Sequence, residues 1–299
     1  MRKSVILPVF AGLCMLLVSC AGNIDPDDNG NGGGNTDLPG GGTQETVNSV
    51  YRQKMVAMQF TSAGCVNCPS LTEALKSVQI SRPESIIPVA FHLDYEIDDD
   101  PMSLPVCSQF YERVSYNEST TVSLPMFALN FRRSSQRIVS EAPKIISEMD
   151  LQAENHPVSS GVAIQTGYDA VSRELEVKAR FISEVSQVCR YHIILVEDGI
   201  EYVQLGAETE DYTHNNVFRY VASDDMRGTR LNSGKPLTVG QEYEVTRKIV
   251  LDGSWNPDSM RVIAVLLTAD DADGQIFGCN NANECAVGGS ADYLYKDEK

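Results

Sequence analysis

The stretch "MVAMQFTSAGCVNCPSLTEALKSV", residues 55–78, carries the reading of the fold. Met55 to Phe60 is an apolar run of strand length, and Leu71, Leu75 and Val78 follow at helical spacing. Cys65 and Cys68 therefore lie at a strand-to-helix turn. Pro69 suits the first turn of that helix, and Ser70 with Glu73 has the spacing of a capping box. The pair admits three chemistries: a redox centre, half of a metal site, or a structural staple.

Which of these applies depends on the compartment, because C-x-x-C means different things in reducing and oxidising surroundings. Arg2 and Lys3 precede an apolar run from Val5 to Val18 that ends in "LVSC", Leu17 to Cys20. A basic start, a short apolar region and a small-residue junction read as an export signal rather than a lasting membrane span. "LVSC" resembles a bacterial lipobox, which implies lipidation of Cys20 after cleavage. No later run has the roughly 18 consecutive apolar residues of a membrane-crossing helix.

Residues 20–47 are rich in Gly, Asn and Asp, and they read as a flexible tether. The expected organisation is a signal at 1–19, the lipidated tether at 20–47, and two folded domains at 48–155 and 156–299. Acids soon after Cys20, namely Asp25, Asp27 and Asp28, resemble signals that send lipoproteins to the cell surface in one Gram-negative phylum. The chain carries 24 Lys and Arg against 41 Asp and Glu, a formal charge of −17. Loss of Arg2 and Lys3 with the signal deepens that charge. Such a surface repels phosphate backbones, so nucleic acid is not an expected partner.

Outward from the cysteine turn, "SIIPVAFHL" (85–93) reads as a second buried strand, parallel to the first because a helix-length segment separates them. Leu104, Cys107, Phe110, Tyr111 and Val114 mark an amphipathic helix. "SLPMFALNFRRSSQRIVS" (123–140) reads as two short strands around a polar turn, and 142–155 as a closing helix. The order is βαβαββα.

That order, with C-x-x-C at the first strand-helix turn and Pro125 opening the third strand, resembles a thioredoxin fold. "FTSAGCVNCP", "AFH" and "LPMFALNFR" are similar to segments of the twenty-eight-kilodalton outer-membrane protein family of Gram-negative envelope lipoproteins, and "HNNVFR" (214–219) resembles a segment of its C-terminal domain. The resemblance implies attack by Cys65, resolution by Cys68, and a cis Pro125 facing the pair. Two positions depart from thioredoxin. Gly64 stands where it has Trp, and Gln59 where it has a buried acid that moves the resolving cysteine's proton. Thiol-disulfide exchange on exported proteins or peptides and a permanently oxidised staple both stay open.

Metal is disfavoured, because structural zinc uses four N or S ligands and the second cysteine pair lies far along the chain. His92 reads as a polar strand-end residue, and "DYEIDDD" (94–100) lacks the glycine and distal Glu of a calcium loop. No cofactor is expected.

Beyond residue 156 the apolar period changes to two. In "ELEVKARF", Leu175, Val177, Ala179 and Phe181 alternate with charged residues. At least six such segments separated by Gly, Asn and Asp turns predict an all-β immunoglobulin-like sandwich. His214 and Asn215 read as loop structure. The overall expectation is an α/β thioredoxin-like domain followed by that sandwich, held on the outer membrane by its lipid.

Of eight cysteines, Cys14 leaves with the signal and Cys20 takes the lipid. The other six allow fifteen pairings. Cys279 and Cys285 bracket the polar "NNANE", so a loop-closing disulfide is expected there. Cys107 and Cys189 lie on apolar faces and read as buried free thiols, with a bridge between them as the alternative. Oligomeric state is not legible.

Overall fold

A computed structural model describes residues 49–94, 100–115, 122–133, 140–209, 212–271 and 274–296, all within the unit Thr46–Lys299. The signal, the tether and Cys20 lie outside the described residues, as do the second strand expected at 137–139 and most of the acidic stretch at 95–99.

Among the described residues the chain is mostly β-sheet with few helices. Its first part runs β1 (Met55–Thr61), α1 (Cys68–Ser81), β2 (Ile86–His92), α2 (Pro105–Val114), β3 (Met126–Leu129) and α3 (Ala142–Asn155). Then follow β4 (Ser160–Asp169), β5 (Glu174–Ser183), β6 (Cys189–Glu197), β7 (Ile200–Glu201), β8 (Thr213–His214), β9 (Val217–Val221), β10 (Thr229–Arg230), β11 (Glu242–Val250), β12 (Met260–Ala269), β13 (Phe277–Ala286) and β14 (Ser290–Ala291).

β1 and β2 are parallel, and β3 runs antiparallel on the other side of β1. The sheet does not stop there. Its order is β13-β12-β6-β9-β2-β1-β3, with β10 paired to β6. Through the parallel contact of Ala90 with Val217, strands from both sides of the 155/156 boundary join one sheet. A second sheet, β11-β5-β4-β14, stacks on part of it.

Alternation along the strands explains the layering. On one face, Val56, Met58 and Phe60 of β1, Val89 and Phe91 of β2, and Ile263 and Val265 of β12 pack with Phe110 of α2 in a single apolar cluster. On the other face, Met55 and Ala57 meet Leu71, Leu75 and Ile145 of α1 and α3. Farther along that face, Tyr191, Ile193 and Leu195 of β6 meet Leu175, Val177 and Phe181 of β5. Burying an aromatic or large aliphatic side chain in such a layer contributes about 1.5–3 kcal/mol.

The helix starts are simpler than expected. α1 begins at Cys68 with Pro69 in its first turn and no side-chain cap. The capping box at Ser70 does not form, because Ser70 is already helical and its hydroxyl donates to the Asn67 carbonyl at 2.7 Å.

The expected Cys279–Cys285 disulfide is corrected by the structure. Both thiols are free and buried, and "NNANE" is the middle of β13 rather than a loop. Its asparagines are polar because they bind backbone across layers. Asn281 accepts from Lys54 N–H at 2.8 Å and donates to the Ser160 carbonyl at 2.8 Å. Asn283 donates to the Val162 and Asp292 carbonyls. Cys107 and Cys189 are also free, buried on opposite faces of the large sheet.

Candidate functional site

The cysteine turn leaves the carboxyl end of β1. Cys65 N–H donates to the Ser62 carbonyl and Cys68 N–H to the Cys65 carbonyl, winding the chain directly into α1. Cys65 and Cys68 are joined by a disulfide, with Cα atoms 5.4 Å apart. The Leu124–Pro125 peptide bond is cis. Met126 pairs with Phe60, so Pro125 is level with Thr61 at the same end of the sheet as the cysteines. Gln59 donates to the Thr72 hydroxyl of α1 at 2.7 Å, so its amide ties strand to helix.

The disulfide is not open to solvent. Cys65 is 3% exposed and Cys68 1%. The chain after β7 lies on this turn and covers its backbone. Gln204 Nε2 lies 3.0 Å from the Cys65 carbonyl, 3.2 Å from that of Ser62 and 3.3 Å from that of Ala63. An amide has two N–H donors, so these acceptors share them. Leu205 N–H adds a 2.8 Å bond to the Ala63 carbonyl. Gly206, at φ +80°, passes so close that a Cβ would lie 2.0 Å from the Val66 carbonyl. Only glycine suits that approach. Ala63, Met102 and Val217 form a small apolar joint beneath, with Ile200 and Tyr202 packed against it.

A buried polar group supports the turn from the β2 side. Asp100 accepts from the Ala63 N–H at 2.9 Å and the Met102 N–H at 3.0 Å, and its Oδ2 lies 2.9 Å from His92 Nδ1. Burial pushes the Asp100 carboxyl up, but the His92 hydrogen bond and charge and the two amides outweigh it and hold it below the usual carboxylate value. The His214 ring stands edge-on to His92, centroids 5.2 Å apart. Burial, then His92, pushes His214 down to about 4. Its Nε2 has no hydrogen-bond partner among the described residues.

Cys65, Cys68 and Pro125 thus share one end of the sheet, while Cys279 and Cys285 belong to the core. Sequence reasoning missed Asp100, Gln204 and the burial of His214. The strand-end His92 and the "HNNVFR" segment were signals for the histidines. Gln204 offered none, since its role rests on a contact across some 140 residues. Among the described residues, no three His, Cys, Asp or Glu side chains are grouped to hold a metal ion, and no helix is long and apolar enough to cross a membrane.

What this geometry defines is a helix-flanked parallel strand pair, continuous through one sheet with strands on which a second sheet stacks, and a buried disulfide turn at its edge. No family model and no curated protein matches the chain. Solved structures do. HBP35 of Porphyromonas gingivalis superposes with a TM-score of 0.65 at 14% identity, over 84% of this chain and 80% of that one. Protein AGR_C_4864 from Agrobacterium tumefaciens gives 0.52 at 16% identity, over 83% and 96%. At these identities the likeness is one of fold. A domain of the outer membrane lipoprotein Omp28 from Porphyromonas gingivalis is also matched, at 11% identity over 44% of this chain and 89% of that one, with a TM-score of 0.26, too low to bear on the fold.

Proposed function

We propose that the chain is an exported, lipid-anchored envelope protein of the twenty-eight-kilodalton outer-membrane type. In this reading a thioredoxin-like part, 48–155, is followed by an immunoglobulin-like sandwich, 156–299. It serves as a binding or structural component whose Cys65–Cys68 disulfide is a staple. Supporting the envelope assignment are the lipobox-like "LVSC", the acidic tether and the ordered motif set from "FTSAGCVNCP" to "HNNVFR". The sandwich would carry the partner-binding surface, and the tether would hold it at the outer membrane.

One observation carries the non-catalytic reading: both cysteines are buried, with Gln204 hydrogen-bonded over their turn. Exchange needs an accessible sulfur that an incoming thiolate can approach in line. A reaction here would first have to open the buried turn whose backbone Gln204 and Leu205 hold. The departure at Gln59 points the same way, since its amide is bound to Thr72 and cannot accept the resolving cysteine's proton.

The test is the reduction potential of the pair in the full-length protein, from mass-tagged thiol counts across glutathione and dithiothreitol buffers. A potential below about −300 mV, where structural disulfides lie, is expected. A value within roughly −120 to −270 mV, the range of exchange proteins, would overturn the staple reading and assign exchange on exported proteins instead.

A further inference from the structure

At the other end of β1 from the cysteines, β3 runs out into Phe131 and Arg132. These residues and Arg133, with Arg113 at the end of α2, His156 at the end of α3, and Asp270 and Ile276 between β12 and β13, line an open cavity of about 480 Å³. That volume is within the roughly 300–1,000 Å³ of small-molecule sites. Its wall is cationic in a chain of formal charge −17.

The wall is built rather than incidental. Arg132, 8% exposed, forks onto Asp270 with two bonds of 2.8 Å and donates a third, 2.7 Å long, to the Cys279 carbonyl. Gly278 makes room for this pair: a Cβ there would lie 2.3 Å from Arg132 Cζ and 2.5 Å from Asp270 Oδ2. With both its oxygens on Arg132, Asp270 is matched, and His156 Nδ1 stands 3.6 Å from it.

Arg113 is different. The acceptor it has among the described residues is the Phe277 carbonyl, at 3.0 Å, whereas a guanidinium offers five N–H donors. It is half-buried and has no carboxylate within ion-pair distance among the described residues. Burial, then the neighbouring Arg227, pushes it below the ordinary guanidinium value. An anion entering the cavity would offset both effects. The apolar remainder of such a ligand would meet Phe131 and Ile276.

We propose that this cavity binds a small soluble molecule with an oxyanion head, a carboxylate or phosphate monoester, on Arg113 and a compact apolar body against Phe131 and Ile276. The guanidinium fork suits both heads. The site lies apart from the cysteine turn, so it stands or falls independently of the redox question.

The test is isothermal titration of the full-length protein in maltoside detergent with benzoate, phenyl phosphate and the neutral benzyl alcohol. At least one anion is expected to saturate at one per chain, benzyl alcohol not. Arg113→Gln should weaken that binding about tenfold or more, the loss of a charge-assisted hydrogen bond. Ile276→Asp is the second variant in case the first does not fold, since Ile276 is 57% exposed and a carboxylate there opposes an anion without disturbing a core. Saturation by neither anion below about 10 mM, an affinity weaker than about 3 kcal/mol, would overturn the proposal. So would binding unchanged in both variants, or retention on phosphatidic-acid vesicles with neither soluble probe bound.

Discussion

Two cysteine pairs, each close in sequence, meet opposite fates in this molecule. Cys65 and Cys68 stand at a turn from strand to helix, where the chain reverses tightly enough to bring their Cα atoms to 5.4 Å, and they are bonded. Cys279 and Cys285 stand on one extended strand, where six steps of about 3.3 Å carry them far beyond the roughly 7 Å reach of a disulfide. A register shift within β13 then separates them further. Leu267 pairs with Cys279 but Leu266 with Asn281, so Asn280 is extra and the strand's two faces exchange beyond it. Cys279 therefore packs with α2's side of the sheet and Cys285 with the second sheet. Spacing of cysteines says little until the backbone between them is known.

The comparison breaks most severely at the support of the first pair. Asp100→Ala removes the acceptor of two buried amides and of His92, and about 3 kcal/mol or more of stability should go with it. Urea denaturation reads the loss. The same carboxylate gives a pH signature. Because its folded value is lowered, its stabilisation is complete above the unfolded value of about 3.9 and is lost as pH falls through the lower folded one. Between pH 7 and pH 3 the wild-type urea midpoint should drop more than that of Asp100→Asn. Equal drops would mean that Asp100 does not hold the turn as a carboxylate.

A smaller effect is expected at the cover. Gly206→Ala puts a Cβ against the Val66 carbonyl at a φ of +80°, at a cost of about 2 kcal/mol. Relief of that clash would lift the Gln204 segment and speed reduction of the Cys65–Cys68 disulfide by dithiothreitol. An unchanged rate in a folded variant would show that the cover does not gate access to the sulfur.

The second pair sharpens the contrast with the least perturbation. Burial pushes the Cys107, Cys189 and Cys279 thiols up to about 12, so at pH 8 they should resist iodoacetamide until the protein unfolds. Cys285→Ser should change stability by less than about 1 kcal/mol, since its Sγ already sits 4.0 Å from the Thr166 hydroxyl. Peptide mapping reads the labelling and urea denaturation the stability, and a linked Cys279–Cys285 peptide would remove the contrast.

Much of the first half was legible because its signals are local. The apolar run before Cys65, the helical spacing of Leu71, Leu75 and Val78, and the parallel relation of β2 all depend on neighbouring segments of the chain. Alternation likewise gave the strand at Leu175 to Phe181. The asparagines of β13 misled because polarity in sequence reads as solvent, whereas Asn281 and Asn283 spend theirs on backbone of another layer. The site was legible only in its cysteines and its proline.

By itself the sequence determined the alternation of buried and exposed residues, the strand-to-helix turn that brings Cys65 to Cys68, and the excess of negative charge, since each follows from neighbours along the chain. Tertiary structure alone decided that one sheet runs through both halves, that Gln204 and Gly206 pack on the backbone of the cysteine turn, and that Arg113, Arg132, His156 and Asp270 share the wall of one cavity. Those contacts join segments tens to hundreds of residues apart. Their energies depend on register, burial and close approach, which exist only once the layers have packed.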